Sequence, residues 1–147
     1  MDKSVITNLV SKCWQDTTGL SIESANLNEL TNGNELYIAS VVFTGEGQGS
    51  MTIAMGKALA KIIASKMFAS AIDSVSLDDI KDSIGELANV LAGNIKTDFF
   101  GRSELSRPLV MQGSNALLSV LKIDVIFEEI FLSEDKEQVI IQVCQTE

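Results

Sequence analysis

The sequence predicts an α+β fold in which helices pack on one face of a largely antiparallel sheet. Two observations lead to this prediction. Strand-like segments outnumber helical ones, and most of them are joined by short turns rather than by long crossovers. The chain has 147 residues, of which 46% are hydrophobic. This is enough for a core of its own, and we expect residues 1–147 to form one domain.

The N-terminal part is predicted to begin with a helix and to continue as strands. Residues 3–15 repeat apolar side chains at helical spacing, with Ser4 as the candidate N-cap and Gly19 as the end of the helix. Leu36 to Phe43 is rich in β-branched and aromatic residues, as strands are. In order, we expect strands at 22–30, 36–43 and 50–55, with turns at 31–34 and 45–49.

The remaining elements follow from the same two periodicities. Residues 57–68 and 76–97 have helical spacing of apolar side chains, and 76–97 is the strongest element of the chain. We expect 98–107 to be a polar loop and 113–115 a turn. The expected strands are 108–111, 119–132 and 138–144, the last two joined by a polar turn at 133–136.

The glycine-rich stretch at 45–49 has the composition of a phosphate-binding loop but not its spacing. The position five residues after Gly45 is Ser50, and the position five after Gly47 is Thr52, so no GxGxxG pattern exists. No GK[ST] sequence follows either. We therefore interpret this stretch as the turn of a hairpin.

The charge of the chain excludes several classes of partner. There are 11 basic and 20 acidic residues, a net charge of −9, with no run of five like charges. Nucleic acids and anionic membrane surfaces both require clustered positive charge, so we expect neither as a partner. No apolar run reaches the roughly 18 residues of a membrane span, and the first ten residues lack the pattern of a signal peptide. We expect a cytoplasmic protein.

The absence of histidine narrows the possible chemistry. It removes Ser-His-Asp and Cys-His catalysis and histidine metal ligands. Cys13 and Cys144 lie near opposite ends of the sequence, whereas a zinc site needs about four ligands at short spacings. We therefore expect no metal site and no cofactor of its own, and two reduced, buried cysteines. A disulfide would require the two ends of the chain to meet.

The helix at 76–97 has a polar face that merits separate attention. Ser76 and Asp79 have the spacing of a capping box, although Asp replaces the usual Glu. For Asp79 we prefer the interpretation of an acidic residue that the helix dipole favours in the first turn, and we expect Ser83 to be solvated. Glu86 and Asn89 are i, i+3 neighbours and should lie side by side. The stripe expected to face the core is Leu77, Ile80, Ile84, Leu87, Ala88, Leu91 and Ile95, and the opposite face carries Asp79, Asp82, Glu86, Asn89 and Gly93.

The simplest interpretation of such a face is that it is only solvated. The E-x-x-N spacing is weak evidence, since it also occurs at Glu23/Asn26 and Glu29/Asn32. Those two pairs lie in strand and turn sequence, where i and i+3 point to opposite faces. Only the pair at 86 and 89 lies on a helix that aligns the two side chains.

The segment 82–96, DSIGELANVLAGNIK, resembles the motif helix of the CheC/CheX/FliY phosphatases of bacterial chemotaxis, D-x-x-x-E-[LI]-x-N-x-x-x-G-N, and is most like CheX. The segments FTGEGQGSMTIAM and KALAKIIASKMF are similar to the family's hairpin, strand and following helix. LSRPLVMQG is similar to its L-S-x-P segment. The resemblance spans about residues 40–113.

The resemblance implies a phosphatase whose substrate is the aspartyl phosphate of a CheY-type response regulator. Carried over to this sequence, Asn89 would orient the attacking water, and Glu86 would pair with the regulator's lysine. Mg²⁺ would be held by the regulator. Asp82 would extend the acidic face toward the partner, and Gly93 would allow its close approach, although close helix–strand packing explains a glycine there equally well.

The resemblance also bears on the number of active sites per chain and on the oligomeric state. The helix at 57–68 has no counterpart of Glu86 and Asn89, which implies one active site per chain and a CheX-like homodimer formed through sheet edges. A long C-terminal hairpin with an open edge agrees with that. The alternative functions are a catalytically silent module that docks a regulator or flagellar partner, and a purely structural dimerisation domain.

Overall fold

The computed structural model describes residues 2–27, 30 and 35–146. The turn predicted at 31–34 and the pair Glu29/Asn32 lie outside these residues. The helices are α1 (Lys3–Thr18), α2 (Lys57–Phe68), α3 (Leu77–Phe99) and α4 (Asn115–Val120), with a 3₁₀ turn at Ile72–Ser74. The strands are β1 (Ile22–Ser24), β2 (Leu36–Gly45), β3 (Gln48–Gly56), β4 (Ser103–Leu105), β5 (Leu109–Gly113), β6 (Val125–Ser133) and β7 (Gln138–Thr146).

The ends of α1 illustrate how local chemistry sets helix bounds. The N-cap is Asp2, not Ser4: the Asp2 carboxylate accepts hydrogen bonds from the backbone N–H and the hydroxyl of Ser4, at 2.9 and 2.7 Å. A carboxylate is the stronger acceptor for the free N–H groups of a first turn. Gly19 ends the helix with φ 76°, a left-handed conformation that glycine adopts without strain.

All strand pairs are antiparallel, and the sheet order is β1-β6-β7-β3-β2-β4. β5 also pairs with β2, along the edge that β4 occupies further up the strand. The C-terminal hairpin therefore does not form an edge by itself, because β7 pairs with β3 on its other side. β1 pairs with β6 at Phe131–Ser133, and the backbone N–H of Ala25, which follows β1, donates to the carbonyl of Ile130 at 2.9 Å. This confirms the predicted fold class.

The main core lies between one face of the sheet and the helices α1, α2 and α3. Alternate residues of β2 and β3, such as Val41 and Ile53, contribute to it, and Trp14 of α1 is fully buried there. The alternation follows from the period of two in a strand. Three helices on one face thus agree with the sequence prediction.

The opposite face of the sheet carries a second, smaller core. Ile38, Ala54, Ile130 and Ile140 pack there against Leu118 of α4. The sequence prediction missed α4, because it assigned its residues to a turn and to the start of a strand. The strand predicted at 119–132 begins only at Val125. Of the strand predicted at 22–30, Ile22–Ser24 is a strand, residues 25–27 are not, and residues 28 and 29 lie outside the described residues. No helix within the described part of the chain is long and apolar enough to cross a membrane.

Candidate active site

The start of α3 is fixed by a capping box. The backbone N–H of Ser76 donates to the Asp79 carboxylate at 3.0 Å, and the backbone N–H of Asp79 donates to Ser76 Oγ at 3.1 Å. This confirms the capping box predicted from the spacing of Ser76 and Asp79. The first turn is thereby anchored, which sets the rotation of every later side chain on the helix.

Burial along α3 follows the predicted stripe with two corrections. Ile80, Ile84, Leu87, Ala88, Leu91 and Ile95 are buried. Leu77 is 46% exposed, because the first helical residue lies beyond the packed core. Ser83 was expected to be solvated but is 1% exposed, and its hydroxyl has no hydrogen-bond partner among the described residues.

The connection between β4 and β5 forms a wall beside α3. The backbone N–H of Val42 donates to Ser106 Oγ at 2.9 Å, and the N–H of Ser106 donates to the Val42 carbonyl at 2.9 Å. Ser106 therefore keeps this segment attached to β2 where the regular ladder is interrupted. Pro108, which has no N–H to donate, follows in the break.

Gly85 allows this wall to approach the helix. A Cβ built at Gly85 would lie 3.4 Å from Val110 Cγ2 and 3.7 Å from Pro108 Cβ, so any larger side chain meets the wall. At Gly93 the nearest atom to such a Cβ is Leu105 Cδ1, at 4.0 Å, which is ordinary contact. Both positions therefore have room for the Cβ of an alanine, but a longer side chain at 85 would meet Val110 and Pro108, whereas position 93 is packed less closely.

The helix and the wall enclose an open groove of about 610 Å³. It brings together the predicted residues Asp82, Glu86 and Asn89, while Gly93 lies one helical turn further along α3. Asp82 and Glu86 are exposed and Asn89 is half-buried. The full lining is Lys81, Asp82, Gly85, Glu86, Asn89, Leu105, Ser106, Arg107, Pro108 and Val110.

Apart from Ser106, the polar side chains of this groove have no hydrogen bond or ion pair to the described residues. Among the described residues, the Glu86 carboxylate and the Asn89 carboxamide have neither a hydrogen bond nor an ion pair. Two cations, Lys81 and Arg107, share the groove with the two carboxylates, and none of the four forms a salt bridge. These groups are therefore available to a molecule that enters the groove.

Neither cysteine lines this groove, and the described residues include no cluster of metal ligands. In residues 2–27, 30 and 35–146, no cluster of three or more His, Cys, Asp or Glu side chains could hold a metal ion. Cys13 and Cys144 are free and buried, Cys13 in the helix-side core and Cys144 on a strand of the sheet. Burial raises the pKa of the Cys13 thiol, which lowers its reactivity.

Sequence reasoning did not identify the residues that the wall contributes. Residues 98–107 were interpreted as a polar loop, although they contain β4 and the Ser106–Arg107 segment. The signal was present in LSRPLVMQG, where Pro108 follows Arg107 and marks a break in an edge strand. Arg107 itself had no distinguishing pattern.

Comparisons with known proteins agree with this architecture. A family model described as chemotaxis phosphatase CheX matches residues 37–141. No curated protein sequence matches the chain.

Three solved structures illustrate the structural similarity. The CheX–CheY–BeF₃–Mg²⁺ complex from Borrelia burgdorferi is 20% identical, with a TM-score of 0.75 over 99% of both chains. CheX from Desulfovibrio desulfuricans is 15% identical, with a TM-score of 0.73 over 97% of both chains. FliY from Thermotoga maritima is 16% identical, with a TM-score of 0.63 over 98% of this chain and 89% of that chain.

The structural neighbours have the same fold, and the family model covers more than half of the chain, including the helix and the wall that form the groove. The chain therefore belongs to the CheX family of chemotaxis phosphatases.

Proposed function

We propose that this protein is a phosphatase that hydrolyses the aspartyl phosphate of a CheY-type response regulator. The observation that carries the proposal is that Glu86 and Asn89 lie on one face of α3 in an open groove, and that neither side chain has a hydrogen-bond partner among the described residues. The family to which the chain belongs is described as a chemotaxis phosphatase family. A related CheX from Borrelia burgdorferi forms a complex with CheY, BeF₃ and Mg²⁺, and BeF₃ is a chemical analogue of a phosphoryl group.

Acyl phosphates suit a site that lacks a nucleophile. An aspartyl phosphate is already reactive, so hydrolysis needs chiefly a positioned water and compensation of charge. The Asn89 carboxamide can orient a water molecule through its oxygen and its N–H groups without adding negative charge beside the phosphoryl anion. In this proposal the regulator supplies Mg²⁺, and this chain supplies no cofactor.

Glu86 has a different task in the proposed mechanism. A carboxylate directed at the phosphoryl group would repel it, so Glu86 pairs instead with the lysine of the regulator's own active site. Asp82, one turn earlier on the same face, extends the acidic surface that meets the partner. Gly93, where packing leaves room for a side chain, allows the partner's backbone or side chains to approach α3 closely.

We further propose that the protein acts in the cytoplasm as a homodimer that pairs through sheet edges. Within the described residues, β5 pairs only with β2, and the first half of β6 pairs only with β7, which leaves backbone groups at both edges for another strand. Sedimentation of the purified protein should give the mass of two chains. A single-chain mass at micromolar concentration would contradict the dimer and leave the phosphatase proposal unchanged.

The test of the function is the decay of an aspartyl-phosphorylated CheY-type regulator with Mg²⁺, measured with and without this protein. We expect faster decay with the wild type. Glu86→Lys should abolish most of the acceleration, because it places a cation against the partner's lysine. Glu104→Lys is the matched control, since Glu104 is equally exposed but lies on β4 and does not line the groove.

The alternative function, a silent docking module, predicts binding without hydrolysis. Under that hypothesis the wild type binds the regulator and Glu86→Lys weakens the complex, while the decay rate stays at its spontaneous value. A structural dimerisation domain predicts neither binding nor faster decay. Both results would contradict the phosphatase proposal.

A further inference from the structure

Arg107 lies in the same groove as Glu86 and Asn89, but on the opposite wall. Its side chain is exposed, and it forms no ion pair or side-chain hydrogen bond among the described residues. Asp82 and Glu86 share the groove with it without pairing to it. An arginine that leaves two neighbouring carboxylates unpaired is available to an anion that comes from outside the chain.

The backbone that carries Arg107 is held in place. Ser106 accepts a hydrogen bond from the backbone N–H of Val42 and donates its own backbone N–H to the Val42 carbonyl. Ser106 Oγ also donates to the Arg107 carbonyl at 3.0 Å. Pro108, next in sequence, restricts the backbone further and faces Gly85 of α3. A cation presented from a fixed segment loses less conformational entropy on binding than one on a flexible loop.

The charge of the groove determines what it can accept. The chain as a whole is strongly acidic, with a net charge of −9, whereas Lys81 and Arg107 locally balance Asp82 and Glu86. A phosphoryl group adds negative charge to the partner at the point that enters the groove. Without a cation nearby, the acidic groove would disfavour the phosphorylated partner relative to the unphosphorylated one.

We propose that Arg107 is the residue through which this groove prefers the phosphorylated form of its partner to the unphosphorylated form. The inference rests on the proposed function and specifies how the same site recognises its substrate. The planar guanidinium is suited to phosphoryl oxygens, because its N–H groups match two oxygens at once. Lys81 assists as a point charge from the helix and contributes less.

The test measures the affinity of one regulator in two states, untreated and activated with BeF₃ and Mg²⁺. Wild-type protein should bind the activated form more tightly. Arg107→Gln should lower the affinity for the activated form by about tenfold, the loss expected for one charge-assisted hydrogen bond, and should leave the affinity for the untreated form nearly unchanged. Arg107→Lys should retain part of the preference, because lysine keeps the positive charge but lacks the planar guanidinium that can bond two phosphoryl oxygens at once.

Arg102→Gln is the matched control. It removes the same charge from an exposed arginine that does not line the groove, so the preference should remain at the wild-type value. Raising the salt concentration should reduce the preference of the wild type more than that of Arg107→Gln, since exposed charges are screened.

Three results would overturn the inference. Equal losses for both states of the regulator would make Arg107 an ordinary docking residue. No loss in either state would give it no role. A loss of the same size with Arg102→Gln would mean that only net charge matters. In each case the wild type would still accelerate decay, whereas failure of the proposed function would be a wild type that neither binds nor hydrolyses.

Discussion

Helices α2 and α3 pack on the same face of the sheet, yet of the two only α3 presents residues of the candidate active site. Both bury an apolar stripe in the main core. The outward side of α2 carries lysines, with Lys57 and Lys66 exposed, and neither a carboxylate nor a carboxamide. The outward side of α3 carries Glu86 and Asn89. The difference between the helices is therefore on their outer faces.

The surroundings of the two helices differ as well. A cavity of about 510 Å³ borders the start of α2, but the carboxamide there is engaged, since Gln112 Nε2 donates to Tyr37 Oη at 2.9 Å. Along α3 the wall at Ser106–Pro108 packs beside Gly85, and the Asn89 carboxamide has no hydrogen-bond partner among the described residues. A polar helix face becomes a candidate site where a neighbouring segment closes on it and its polar groups remain unpaired.

A large side chain placed between α3 and the wall should have the largest effect on stability. Gly85→Leu places a side chain against Val110 and Pro108, and we expect a net loss of about 1–2 kcal/mol in the free energy of unfolding. Displacement of the wall should also lower phosphatase activity about tenfold or more, because positioning is sensitive to small shifts. Urea unfolding and regulator decay measure the two effects. Wild-type stability and activity would mean that the groove does not depend on this contact.

Gly93→Ala should separate stability from function. A Cβ there meets only Leu105 Cδ1 at 4.0 Å, so the fold has room for it, and alanine should stabilise the helix by about 1 kcal/mol. If the partner approaches closely at this position, the affinity for the activated regulator falls while the melting temperature rises. A lower melting temperature would instead indicate that packing requires the glycine.

Ser83→Ala tests whether buried positions of α3 contribute to function. The Ser83 hydroxyl is buried without a partner among the described residues, so its removal should stabilise the fold by up to about 1 kcal/mol. Activity should not change, because Ser83 does not line the groove. Denaturant unfolding and regulator decay check both parts. Destabilisation would imply that the hydroxyl has a bonding role.

Removing charge from α2 should have the smallest effect. The double substitution Lys61→Gln and Lys66→Gln changes the outer side of α2 and no residue of the groove. We expect stability within about 0.5 kcal/mol of the wild type, as is usual for surface substitutions. The decay rate of the phosphorylated regulator should be unchanged at moderate salt. A marked fall in rate would extend the functional surface to α2.

Much of the fold and half of the groove could be predicted from local sequence patterns. The bounds of α2 agree with the prediction at both ends, and the helical projection brought Asp82, Glu86 and Asn89 to one face. Period and capping are encoded locally, so a single sequence is enough to recognise them. The resemblance to the CheX family, confirmed by the family model, assigned roles to these residues.

The other half of the groove could not be predicted, because it depends on tertiary pairing. The short strand β4 and the helix α4 are below the length at which periodicity is recognisable. The position of Arg107 beside α3 follows from the pairing of β4 and β5 with β2, which no local pattern of residues 98–107 encodes. The N-cap is Asp2 rather than Ser4: both residue types can cap a helix, and the Asp2 carboxylate is the stronger acceptor for the first turn.

The central claim is that Asn89 drives hydrolysis from the outer face of α3. The most direct measurement is the decay rate of the phosphorylated regulator at saturating concentrations of Asn89→Ala, compared with Asn8→Ala, which removes an exposed asparagine from α1. The account predicts about a hundredfold loss for Asn89→Ala with the affinity for the regulator largely retained, and no loss for Asn8→Ala. A fully active Asn89→Ala variant would contradict it.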